Sequence, residues 1–105
     1  MLFIETSIFT RQVTALLPDE EYKRLQEVLL IRPEAGDLIP GSGGLRKLRW
    51  RVLGKGKRGG LRLIYYWDVS DDSFFMLAVY KKSQKEDLTK QEVAILRRLV
   101  EEWLL

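Results

Sequence analysis

The apolar pattern of this chain predicts an α+β domain, with N-terminal helices and a C-terminal helix packed on a small antiparallel β-sheet. Three observations carry that expectation. Apolar residues recur at helical spacing in two stretches between residues 7 and 31. Three stretches of strand character follow between residues 45 and 82, separated by breaks rich in Gly/Lys and in Asp. A last amphipathic segment opens near residue 90 behind a helix-capping motif.

The elements follow in order. Residues 2–6, LFIET, are strand formers and predict a short strand. Ile8, Phe9, Val13, Leu16 and Leu17 predict a helix over 7–16, which Pro18 interrupts. Residues 19–31 read as a second helix. Asp19, Glu20 and Glu21 complement its positive end, and Tyr22, Leu25, Val28 and Leu29 form its apolar stripe. Pro33 marks the stop. Residues 34–44 hold four of the eight glycines and Pro40, a loop composition. In 45–53, Leu48, Trp50 and Val52 alternate with Lys47, Arg49 and Arg51, so one face of a strand enters the core while the other carries cations. Residues 54–60 form a Gly/Lys loop. Strands over 61–68 and 73–82 meet at a turn containing Asp71 and Asp72. Thr89 and Glu92 have capping-box spacing, and Val93, Leu96, Val100 and Trp103 define the buried face of the final helix. The coarse order is β-α-α-β-β-β-α.

With 105 residues and 46% apolar content, the chain is expected to form a single domain over 1–105 with a modest core. It has no apolar run long enough to span a membrane, and its start lacks the features of a signal peptide. A cytoplasmic location is therefore expected, without a membrane partner. Cysteine is absent, which removes disulfides and thiolate chemistry and fits a reducing compartment. Histidine is absent too, which removes the usual general base and the commonest zinc ligand. The adjacent acids Asp71–Asp72 and Glu86–Asp87 lack a metal-loop pattern and read as turn and helix-entry residues. Neither a cofactor nor a metal is expected.

Charge is the most informative feature. From Leu45 to Leu63 the chain carries eight of its eighteen basic residues and no acid. The remainder holds ten basic and fifteen acidic residues, a balance of −5 beside the chain's net +3. Such concentration suits a polyanion, above all nucleic acid, and Trp50, Tyr65, Tyr66 and Trp67 nearby offer rings for base stacking. The alternative is a solvated basic hairpin whose charges only protect strand edges. If the three strands pair in register, Lys47, Arg49, Arg62 and Lys82 converge on one patch. Fixed cations of this kind stabilise the charge that gathers on phosphorus oxygens when an RNA 2′-hydroxyl attacks the adjacent phosphate. A lysine crowded by other cations can also exchange a proton. Lys55, Lys57 and Arg58 sit among glycines that admit a phosphate backbone, yet the loop lacks the nucleotide P-loop pattern.

The segments Gly43–Arg49, Gly54–Gly60 (GKGKRGG), Leu61–Tyr66 and Val79–Lys82, with Asp87–Thr89, together resemble the RelE/HigB superfamily of toxins from bacterial type II toxin–antitoxin modules. The likeness is greatest to the HigB-type branch and covers nearly the whole chain. It implies a microbial-RNase-like fold and a metal-independent endoribonuclease that cuts translated mRNA in the ribosomal A site. By position, Lys47 and Arg49 match the family's basic pair, Arg62 its phosphate-contacting arginine and Lys82 a further catalytic-site cation. Arg46, Arg51, Lys55, Lys57, Arg58, Tyr66, Tyr80 and Lys85 are candidates for RNA or ribosome contact. Leu88 stands where the family has a base-stacking tyrosine, which moves that role to Tyr80 or Tyr66. The implied partners are the ribosome, mRNA and a cognate antitoxin of the helix-turn-helix HigA type, with operator DNA reached only through the antitoxin. Two other readings stay open: an RNA- or ribosome-binding inhibitor without chemistry, and a gyrase poison of the same fold.

Overall fold

Local signals set the first helix and its approach to the sheet. The computed structural model describes residues 2–53 and 59–105. Strand β1 (Leu2–Glu5) leads into α1 (Ser7–Leu16). Thr6 caps α1 by accepting the Phe9 N–H at 2.9 Å, while its own hydroxyl donates to the Leu77 carbonyl at 3.2 Å. Pro18 then starts α2 (Asp19–Ile31), with three acids in the first turn. Next come β2 (Asp37–Leu38), β3 (Leu45–Arg51), β4 (Gly60–Asp68), β5 (Ser73–Lys81) and α3 (Lys90–Leu104). The capping box before α3 is complete: Glu92 N–H donates to Thr89 Oγ1 at 3.1 Å, and Thr89 N–H to Glu92 Oε1 at 2.8 Å.

The sheet corrects the sequence reading. It has five strands in the order β1-β5-β4-β3-β2, and it is mixed, because β1 runs parallel to β5. The β3-β4-β5 meander is antiparallel as expected. A two-residue β2 emerges from the expected loop and pairs with β3. The strand expected over 45–53 ends at Arg51, and the one over 73–82 ends at Lys81, leaving Lys82 in the turn. Beyond the end of β1, the exposed edge of β5 is covered by α1, where the Gln12 side chain accepts the Val79 N–H at 3.0 Å.

Apolar residues divide between the two faces. On one, α1 and α2 pack Phe9, Val13, Leu17, Leu25 and Leu29 against Leu48, Trp50, Leu63, Tyr65, Phe74 and Met76. Complete burial of Phe9, Leu25 and Leu29 contributes about 1.5–3 kcal/mol each. On the other, α3 covers Leu45, Ile64, Phe75 and Leu77 through Leu96, Leu99 and Val100. Trp103 lies against Phe75 at 4.6 Å between ring centroids and stays 37% exposed, while Ile8, expected on the buried side of α1, faces outward.

A bulge in β5 decides what shares a face with what. Ile64 pairs with Ala78 but Tyr65 pairs with Met76, so Leu77 is the extra residue. Phe74 and Met76 join the first face, whereas Tyr80, an even number of residues on, is turned to the second. Strict alternation would place all three together.

Tyr65 ties the loop before β2 to this frame. Its buried hydroxyl donates to the Pro33 carbonyl at 2.6 Å and accepts the Gly36 N–H at 2.9 Å. A Cβ at Gly36 would sit 2.9 Å from the Tyr65 ring, so only glycine fits there. Tyr65→Phe leaves the buried Gly36 N–H and the part-buried Pro33 carbonyl without this partner and is expected to cost about 1–3 kcal/mol. In urea unfolding the midpoint should fall with the slope unchanged; an unmoved midpoint would contradict this account.

Candidate functional site

The antiparallel registers assemble the site. Arg49 of β3 lies directly opposite Arg62 of β4, and Arg62 lies opposite Tyr80 of β5. One step toward the strand ends, Arg51 faces Gly60, whose carbonyl accepts the Lys82 N–H at 3.0 Å. Arg49, Arg51, Arg62 and Lys82 accordingly line one cavity of about 470 Å³, together with Trp50 and Gly60. Lys47 stands two residues before Arg49 on the same strand face. It lines an adjoining cavity of about 340 Å³ with Asp37, Asp87, Leu88 and Val93. Arg49 lines both, so the four expected catalytic cations share one surface.

Like charges directly opposite one another across strands destabilise a sheet. Three carboxylates offset this. Asp37 Oδ2 lies 3.3 Å from Arg49 Nη1, Glu86 Oε1 lies 3.2 Å from Arg62 Nη2, and Asp87 pairs with Lys47 Nζ. Sequence reading assigned Glu86 and Asp87 to turn and helix entry and gave Asp37 no role. Nothing in their spacing reveals the pairing, because β2 and the β5–α3 connection are brought to the cations only by tertiary structure.

Arg62 differs from its neighbours. Its side chain is 6% exposed, against 61% for Arg49. Nη1 donates to the Leu61 carbonyl at 3.2 Å and Nη2 to Glu86, while Nε finds no partner among the described residues. The Tyr80 hydroxyl, likewise buried, has no partner there either. Burial raises the Tyr80 phenol above its ordinary value, with the Asp87 charge adding to the effect, so this group stays protonated at neutral pH.

The other sequence candidates are dispersed. Arg46 is on the opposite face, donating to the Gly36 carbonyl at 2.8 Å and the Glu34 carbonyl at 3.4 Å. Tyr66 is part of the packing beneath α3, stacked near Phe75. A Cβ at Gly44, whose φ is 111°, would meet the Tyr66 ring at 2.9 Å. Lys85 pairs with Glu92 at the start of α3. Leu88 belongs to the second core cluster and also borders the Lys47 cavity. Lys55, Lys57 and Arg58 lie outside the described residues. Among the described residues no group of three or more Asp and Glu side chains is placed to hold a metal ion.

The Asp87 carboxyl is held below the ordinary aspartate value, chiefly by its hydrogen bond to Lys47, with Arg49 and Arg62 adding smaller effects. Its folded value being depressed, the pair's contribution is present above the ordinary aspartate value and is lost as pH falls through the folded one. Carboxyl-carbon NMR should give Asp87 a midpoint below that of a free aspartate, moving upward in Lys47→Met. An unchanged midpoint in the variant would remove Lys47 as the cause.

Comparison with known proteins bears on this arrangement. The family model described as the RelE toxin of the RelE/RelB toxin–antitoxin system matches residues 33–105, which include all of β2 through α3. Among solved structures, a doubly substituted mutant of the E. coli toxin RelE in the free state is similar at 20% identity and a TM-score of 0.53. It covers 81% of this chain and 86% of its own. The intact E. coli RelBE toxin–antitoxin complex is similar at 19% identity and a TM-score of 0.56, over 76% of this chain and 94% of that one. These two likenesses show a shared fold, and the family match takes in every cation of the site. The chain belongs to the family of RelE toxins of toxin–antitoxin systems.

Proposed function

We propose that this toxin is a ribosome-dependent, metal-independent endoribonuclease that cuts translated mRNA in the A site and thereby inhibits translation. The observation that carries the reading is the cross-strand row of Arg49 and Arg62, joined in one cavity by Arg51 and Lys82. In the proposed reaction the RNA 2′-oxygen attacks the neighbouring phosphorus, and the bond to the 5′-oxygen of the next nucleotide breaks. Negative charge grows on the non-bridging oxygens. Arg62, held rigid by burial and its Leu61 contact, supplies a preorganised guanidinium for that charge. Arg49 and Lys47 extend the positive surface along β3, and Lys82 closes it at the turn after β5.

Among the described residues the row offers no imidazole, and its carboxylates are engaged by cations. Acid-base power on free RNA is therefore expected to be low. Alignment of the 2′-hydroxyl for in-line attack accounts for much of such a barrier, and the ribosome would supply it. Where Leu88 stands in place of a tyrosine, Tyr80, paired across the sheet with Arg62, would take the base-stacking role.

The further expectations rest on resemblance. The GKGKRGG loop supports assignment to the HigB-type branch. A cognate antitoxin, of the helix-turn-helix HigA type, would bind this toxin and connect it to operator DNA. A cytoplasmic site of action follows from an mRNA substrate, and no helix among the described residues is long and apolar enough to cross a membrane.

Brief induction in cells should arrest growth and create new mRNA 5′ ends inside translated codons, read by primer extension. Arg62→Ala should lower the yield of such ends by roughly two orders of magnitude, the scale of losing a transition-state donor. Arrest without new ends would overturn the nuclease reading in favour of ribosome blocking, and DNA double-strand breaks would favour gyrase poisoning.

A further inference from the structure

The connection between β5 and α3, residues 82–89, bears two carboxylates that sit on the cations an RNA phosphate would need. Glu86 occupies Arg62, and Asp87 occupies Lys47. From the other side, Asp37 of β2 occupies Arg49. Each of these three cations thus has its own counter-ion, while Arg51 and Lys82 make no ion pair among the described residues. We propose that the Glu86 carboxylate is a built-in competitor for the phosphate site on Arg62, an autoinhibitory contact that an incoming RNA phosphate must displace. This rests on the reading of the cation row as the phosphate site and adds its regulation.

Competition is for the charge and the open side of one buried guanidinium. One N–H of Nη1 donates to the Leu61 carbonyl and one of Nη2 to Glu86. Arg62 also lines the cavity shared with Arg49, Arg51 and Lys82, so an anion entering there competes with Glu86 for the same guanidinium. Glu86 itself is 59% exposed and lies outside regular secondary structure, so it can leave by side-chain rotation without opening the sheet. The buried partnerless groups, Arg62 Nε and the Tyr80 hydroxyl, mark this as a place with unused hydrogen-bonding capacity. A carboxylate and a phosphate oxygen make the same charge-assisted contact to a guanidinium, so one substitutes directly for the other. Glu86 acting as a general base for the 2′-hydroxyl fits less well, because its carboxylate is already engaged by the Arg62 guanidinium.

The test is fluorescence-anisotropy binding of a short labelled single-stranded RNA, 2′-O-methylated throughout so that no scission can occur. Glu86→Gln should bind roughly three- to tenfold more tightly than the wild type. Glu101→Gln, which removes a carboxylate paired with Arg97 on α3, should stay within about twofold, allowing for the general change in net charge. Arg62→Ala should bind more weakly. If Arg62→Ala loses affinity but Glu86→Gln gains no more than Glu101→Gln, the contact is not inhibitory and the proposal fails alone. If Arg62→Ala binds as the wild type does, the phosphate-site reading itself fails. Should Glu86→Gln not fold, carboxyl-carbon NMR of the wild type decides. Added RNA should move the Glu86 signal toward that of a solvated glutamate and leave Glu101 in place, whereas an unmoved Glu86 signal overturns the proposal. Unchanged binding by Glu86→Gln with lost cleavage on the ribosome would make Glu86 a proton-transfer group instead.

Discussion

The structure depends on the register that sets Arg49 opposite Arg62. Two guanidinium groups facing each other across neighbouring strands are unfavourable for a sheet. The surrounding fold can be understood as what makes that arrangement tolerable. The hydrophobic face behind it, built on Leu48, Trp50, Leu61 and Leu63, is buried against α1 and α2 and fixes the register from the far side. A one-residue slip would send those apolar groups to solvent and the arginines into the core. Charge on one face is thus held in place by apolar packing on the other.

Counter-ions complete the arrangement, and they come from parts of the chain distant in sequence. β2 adds to the sheet edge and delivers Asp37; the β5–α3 connection delivers Glu86 and Asp87. Local rules broken at one place and offset from elsewhere are the expected signature of a functional site. Arg62 shows it most clearly, since a buried guanidinium with a partnerless Nε is a poor stabiliser and a good preorganised anion receptor.

Much of this was legible in the sequence. The alternation of cations with Leu48, Trp50 and Val52, the two N-terminal amphipathic segments and the Thr89–Glu92 box each name a structure through local periodicity or capping chemistry. The parallel placement of β1 was not, because four strand-forming residues say nothing about which edge they join. The bulge at Leu77 was hidden for another reason. Residues 73–77 are all buried, so no alternation survives to show where the phase changes. Yet that phase change turns Tyr80 toward Arg62. The acidic partners were invisible because ion pairing depends on three-dimensional proximity, and Arg46, a candidate for RNA contact, lies on the face opposite Lys47, where it bonds the carbonyls of Glu34 and Gly36.

The most direct test of the central claim, that the Arg49–Arg62 row is where phosphate binds, is the salt dependence of RNA affinity. Log affinity for single-stranded RNA falls with log salt by about 0.7 for each phosphate neutralised. Replacing Arg49 and Arg62 together by methionine should reduce that slope by about 1.4 if each meets one phosphate. A double variant that folds normally and keeps the wild-type slope would contradict the account, since phosphate would then be met elsewhere on the molecule.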